Sequence, residues 1–223
     1  MSEDRISILR QEIDQLDDEI LDLIRKRMRI SAEVSQAKTD KTAIFRPGRE
    51  ETLFAALAQK SADLPPVFVH GLWRVIISAS IGLQKTDFTI ATSPKALSDA
   101  IGFAAGQLHV AAPVAGVDSL VAMLEKGQAD IAVIDSSEIY EAAPLLVASS
   151  QVSIIASLRS QNGKDKHIHS YILSSQKADR TEYDIAVMFD KHKNEIVFQS
   201  YDAYLEDAKT DLQYIGCFAQ IKT

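Results

Sequence analysis

The sequence predicts a multidomain chain: an all-α unit of three helices over residues 1–86, then a small α/β unit over 87–223 that ends in a β-rich tail. Three observations predict it. An apolar seam with alternating three- and four-residue spacing opens the chain. Beyond residue 86 that spacing gives way to short Val- and Ile-rich runs with helical stretches between them. Charge divides at the same place. Residues 1–86 hold 13 Lys+Arg and 13 Asp+Glu, so the remaining 11 basic and 18 acidic groups carry the whole net charge of −7.

The seam runs through Ile6, Leu9, Ile13, Leu16, Ile20 and Leu23, then Ile30, Val34 and Ala37, the heptad pattern of a long packed helix. A helix over residues 3–38 is on the order of 50 Å long at 1.5 Å per residue. A small monomer cannot bury such a stripe, so the expectation is an intertwined homodimer. Where the alternation calls for an apolar residue after Leu23, the chain has Arg27. A charge in a seam is costly unless paired or led to water. It is either a register-setting polar residue or part of a site. Lys38 favours a site, because 11 residues place it within roughly 20° of Arg27 around the helix. The small residues Ser31 and Ser35 lie between them. Two cations flanking small side chains describe a pocket floor for an anion. Arg10, 17 residues before Arg27, is turned about 100° away and suits the pocket of a partner chain.

The run TDKTAIF carries no helical stripe and reads as a loop within a turn-rich stretch, 40–48. Pro47 stands where proline starts helices, and a second helix continues through Arg49, Glu50, Leu53, Phe54 and Leu57 to about residue 60. After Pro65 and Pro66 a third helix shows Phe68, Leu72, Val75, Ile76, Ala79 and Leu83 on an apolar face. Ser80 and Gln84 are i,i+4 neighbours on it, so they read either as an exposed helix edge or as two polar ends meeting one ligand.

In the second unit FTIA, LHVAAPV, DIAVID and VSIIAS read as buried strands, with helices over 94–105 and 117–126 between the first three. That alternation predicts a small parallel sheet. After Gly163, SYILSS, DIAVMF, EIVFQSY and LQYIGCFAQI predict the β-rich tail.

Composition excludes several classes. No apolar run approaches the roughly 18 residues of a bilayer span, the N-terminus lacks the basic and apolar regions of a secretory signal, and neither unit has the basic excess that nucleic acid requires. One cysteine, Cys217, allows no internal disulfide and no cysteine metal cluster. His167 and His169 have no acidic or cysteine partner at a metal-binding spacing, and no metal or cofactor is expected. The expected location is the cytoplasm.

The stretches ILRQEIDQLDDEILDLIRKRMRISAEVSQAK, RPGRE and LWRVIISASIGLQK together resemble the all-helical chorismate mutase family over nearly all of residues 5–85. The resemblance implies an isomerase of phenylalanine and tyrosine biosynthesis that rearranges chorismate to prephenate. Carried over by position, it implies that Lys38 and Gln84 donate to the ether oxygen. Arg27, and Arg10 from the other subunit, hold the two carboxylates. Glu50 holds the ring hydroxyl, Ser80 supports a carboxylate, and Arg49 closes the charge network. Arg46 occupies a position that is often an aspartate contacting the substrate hydroxyl.

The stretch SLVAMLEKGQADIAVIDSSE resembles the prephenate dehydratase domain that follows a chorismate mutase in some bacterial enzymes. Asp135, Ser136, Ser137 and Glu138 stand in place of its proline-isoleucine-glutamate-asparagine signature, and HSYILSS in place of its Thr-Arg-Phe strand. YIGCFAQ resembles the closing strand of an ACT domain, without that domain's ligand signatures. Residues 87–223 therefore read as a degenerate dehydratase-like domain with a structural or regulatory role. A bifunctional mutase/dehydratase and a noncatalytic dimeric binding protein are the competing readings.

Overall fold

The computed structural model describes residues 2–37, 44–159, 167–179, 181, 184–206 and 212–219. Three helices come first: α1 (Ser2–Ala37), α2 (Pro47–Lys60) and α3 (Pro66–Gln84). They lead into β1 (Thr89–Thr92), α4 (Leu97–Ala104), β2 (His109–Val110), α5 (Val117–Glu125) and β3 (Ile131–Asp135). A 3-10 turn over Ser136–Glu138 then opens α6 (Ile139–Ala148). The chain closes with β4 (Ser153–Arg159), β5 (Ile168–Ser174), β6 (Asp184–Asp190), β7 (Glu195–Ser200), α7 (Tyr201–Glu206) and β8 (Gln213–Ala219).

Among the described residues eight strands join one mixed sheet in the order β2-β1-β3-β5-β4-β8-β6-β7. The expected parallel sheet is its first part, with β1 parallel to β2 and to β3. The β-rich tail is not a separate layer. It continues the same sheet, antiparallel from β3 to β5 and from β5 to β4, parallel from β4 to β8, and antiparallel through β6 and β7. LHVAAPV shrinks to the two-residue β2 because Pro113 has no N–H to give a ladder. The sequence reading missed α6, whose Pro144 lies inside the helix.

Strand alternation divides the core between two faces. Ala132, Ile134 and Leu173 face α5 and α6, where they meet Leu120, Leu124, Ala142 and Leu146. Ile131, Val133 and Ile172 face the other way, against Phe103 of α4 and Ile77 and Ile81 of α3. The helical unit is thus packed directly onto the sheet, and the boundary read at residue 86 lies just past the end of α3. Lys85 and Asp130 pin this junction at 2.6 Å, and Ser78 Oγ donates to the Phe103 carbonyl at 3.0 Å.

α1 is different. Its seam stays open to solvent, with Ile13 and Leu16 each 56% exposed and Leu23 66%. Phe68, Leu72, Val75 and Leu83 of α3 are exposed as well. One sequence expectation needs correction: α3, with 19 residues and a mean hydropathy of 1.4, is long and apolar enough to cross a membrane by length and composition. Only 33% of that stretch is buried, with Val69, Ile77 and Ile81 among the buried residues.

Candidate active site

α1 touches the rest of the chain mainly along α3, and that contact is polar where the seam is interrupted. Arg27 Nη1 donates to Ser80 Oγ at 2.7 Å, and Ser80 Oγ donates back to the Ile76 carbonyl at 2.8 Å. One turn on, Gln84 Nε2 donates to Ser31 Oγ at 3.1 Å and to the Ser80 carbonyl at 3.2 Å. Ser80 is buried, while Arg27, Ser31 and Gln84 are partly exposed. The helical spacing that put Ser31 beside Arg27, and Gln84 one turn beyond Ser80, therefore converges on one polar strip between two helices.

α2 brings charge to this strip. Burial lowers the proton affinity of Arg27 most, the charge of Arg49 lowers it further, and Glu50 opposes both. Two guanidinium groups that destabilise one another are relieved by an anion set between them. Glu50 does not stand free to meet a hydroxyl. Its Oε2 accepts from Arg74 Nη2 at 2.8 Å in an ion pair whose side chains are only 13% and 11% exposed. Burial raises the Glu50 carboxyl, Arg74 counters this by charge and hydrogen bond, Asp179 adds to the rise, and Arg27 opposes it. Arg74 is held in turn over the rings of Phe103 at 4.6 Å and Phe54 at 5.8 Å.

The structure brings Arg27, Ser31, Ser80 and Gln84 into direct contact, with Arg49 and Glu50 close enough to alter the ionisation of Arg27. It does not bring Arg10 to them. That residue is exposed on α1, roughly 25 Å along the helix from Arg27 at 1.5 Å per residue. Lys38 and the side chain of Ser35 lie outside the described residues. Arg46 turns away to an ion pair with Asp179 at 3.3 Å. Sequence reasoning missed Arg74 and Asp179. Arg74 stands on α3 with no i±3 or i±4 acidic neighbour, and its partner is 24 residues away. His169, exposed on β5, meets His167 edge-to-face at 5.8 Å and takes no part in the strip.

Residues 9–85, about a third of the chain, match the family model of chorismate mutase type II. That domain covers most of α1 and all of α2 and α3. No curated protein and no solved structure matches the chain.

Proposed function

We propose that the chain is a chorismate mutase, converting chorismate to prephenate at the α1–α3 polar strip. The observation that carries this reading is Arg27: a charged residue in an apolar seam, hydrogen-bonded to buried Ser80 and within electrostatic reach of Arg49, inside a chorismate mutase type II domain.

The chemistry asks for little more than such a strip. Chorismate carries two carboxylates, and its rearrangement needs neither proton transfer nor a covalent intermediate. The protein has to select the folded conformer and stabilise the charge that separates as the C–O bond breaks. Arg27 and Arg49 supply planar donor forks for a carboxylate. Gln84 Nε2 gives its two N–H groups to Ser31 and the Ser80 carbonyl, so it donates to a breaking ether oxygen, which gains negative charge, only once substrate displaces Ser31. Lys38 is assigned the same role by its position in the sequence. Glu50 reaches the ring hydroxyl only while it also holds Arg74.

The open seam on α1 supports a homodimer. Apolar residues repeated over nine positions of a 36-residue helix, and a matching exposed stripe on α3, form a surface that soluble chains do not leave bare. Such a dimer lets Arg10 enter the partner's strip. By its sequence resemblance alone, the sheet half is read as a dehydratase-like scaffold without dehydratase chemistry. Incubation with chorismate tests the whole reading. The expected result is loss of chorismate absorbance with prephenate as the end product. Phenylpyruvate formed without acid treatment points to a bifunctional enzyme, and no turnover leaves a noncatalytic scaffold.

A further inference from the structure

Asp179 reaches the first turn of α2 from 131 residues further along the chain. Its Oδ1 accepts from the Gly48 N–H at 2.9 Å, and its Oδ2 accepts from the Arg49 N–H at 3.1 Å. Oδ2 also faces Arg46 Nε at 3.3 Å. The residue preceding α2, Arg46, provides no side-chain cap of its own, so Asp179 does the work that an N-cap carboxylate does. It satisfies two of the orphan N–H groups and sets a negative charge at the positive end of the helix. The fit is close. A Cβ on Gly48 would collide with the backbone carbonyl oxygen of Asp179 and come within 2.9 Å of Thr181 Cγ2. The segment holding Asp179 is anchored on the sheet side. Ser174, at the end of β5, donates to the Asp130 carbonyl at 2.9 Å, and Ala178 packs on the core shared by α3 and α4.

The helical turn fixed in this way is the turn that carries Arg49 and Glu50. We propose that Asp179 is a positioning residue of the mutase site, a carboxylate from the sheet half that sets the first turn of α2 and thereby aims Arg49 and Glu50 at Arg27. This rests on the reading of that strip as a chorismate mutase site. The sheet half is then a working part of the site's support and not an appendage behind it.

The charges around Glu50 provide a readout that a merely structural role would not move. Arg74 faces it from α3, Arg27 from α1 and Asp179 from the segment after β5, while Glu51 adjoins it on α2. Asp179 opposes ionisation of Glu50, so removing its charge shifts the acid limb of kcat/KM to lower pH.

The test compares Asp179→Asn, which keeps an acceptor oxygen, with Asp179→Ala and with Gly48→Ala, which pushes the segment off α2 sterically. Asp190→Ala is the control, since Asp190 caps the β6–β7 turn through the His192 and Lys193 N–H groups, on a segment with no bond to the strip among the described residues. With chorismate as substrate, Asp179→Ala and Gly48→Ala should lose about tenfold in kcat/KM, mostly through KM, as expected when ground-state binding groups are misplaced. Asp179→Asn should lose less, share the downward shift of the acid limb, and keep the fold. Asp190→Ala should match the parent in KM and acid limb. Parental KM and an unmoved acid limb in both Asp179 variants would overturn the proposal. If the parent itself does not turn over chorismate, the functional reading fails separately, and amide hydrogen exchange at Gly48 and Arg49 decides the rest. Faster exchange in Asp179→Ala than in Asp190→Ala upholds the positioning of α2, and equal exchange refutes it.

Discussion

Replacing Arg74 by methionine removes one half of a buried ion pair and leaves the other half in place. The pair closes at 2.8 Å, with side chains 13% and 11% exposed, so water can take over little of the solvation that Glu50 loses. Breaking such a pair from one side costs about 3–5 kcal/mol. The lost stacking of the guanidinium over Phe103 and Phe54 adds about 0.5–2 kcal/mol, offset in part by the apolar packing that methionine restores. A net loss of about 3–5 kcal/mol corresponds to a fall in Tm of roughly 6–20 °C at 2–4 °C per kcal/mol for a chain of this size.

The same variant carries a pH signature. Burial raises the Glu50 carboxyl and Arg74 pulls it down, so without Arg74 the folded-state value rises further above the unfolded one. The folded state then holds a proton that the unfolded state has already released, and stability falls as pH climbs through that interval. Arg74→Met should therefore be more damaging at pH 8 than at pH 5. Urea denaturation at both values measures this, and Glu50→Gln/Arg74→Met completes the cycle. The double variant should recover at least about 2 kcal/mol relative to the sum of the single changes. Additive losses, or a single-variant loss under about 1 kcal/mol at pH 8, would refute the account of Glu50 as a carboxylate dependent on Arg74.

Arg27→Leu mends the seam and removes the charge facing Arg49; it should hold or raise the denaturation midpoint while lowering kcat/KM on chorismate by about 10²-fold or more, the scale of a lost charge-paired contact. Retained turnover in that variant would mark Arg27 as a register device. Glu51, pushed up to about 7 by burial against the pull of Arg159, costs stability that appears as pH rises from its unfolded value toward 7. Glu51→Gln should thus add up to about 2–3 kcal/mol at pH 8 and little at pH 4, and an equal change at both pH values in urea melts would contradict this. Mixing Arg10→Ala chains with Lys38→Ala chains should restore about a quarter of the parental sites, one in each heterodimer. No recovery of chorismate turnover after subunit exchange would sink the crossed assembly.

What the sequence disclosed follows the range of its signals. The seam from Ile6 to Ala37 and the pairing of Ser80 with Gln84 repeat every three or four residues, and periodicity reports contacts at that range. The parallel sheet of β1, β2 and β3 was legible, though not its strand order, because Val- and Ile-rich runs alternate with helices. The helix Ile139–Ala148 was not, because Pro144 and the run AAPLLVA lack a polar face to mark a period. Arg74 and Asp179 were invisible for a different reason. Their partners lie 24 and 131 residues away, and nothing local in LWRVIIS or QKAD requires a carboxylate or a helix end to be there. Glu50 was assigned to the site by its position, but its ion pair could be seen only once α2 and α3 were laid together.

The placement of the strip on α3 explains how the sheet bears on it, and where a second chain would reach it in the proposed dimer. At 100° per residue, setting Ile77 at zero puts Ile81 about 40° to one side, and these two pack on the sheet. Gln84 and Ser80 follow at about 20° and 60° to the other side, meeting Arg27 and Ser31 of α1. Leu83 and Leu72 come next at about 120° and 140°, then Phe68 and Val75 near the opposite pole, all exposed. The polar residues thus occupy the narrow sector between a buried face and an open apolar stripe. Packing on the sheet fixes the azimuth of α3, and with it the direction of Ser80 and Gln84. A partner on the open stripe would form the remaining wall, and α1 from that partner is the element long enough to carry Arg10 there. A substitution at Ile77 or Ile81 should therefore disturb chorismate binding without touching the strip, and one at Leu72 or Leu83 should do so only through assembly, with activity that recovers as protein concentration is raised.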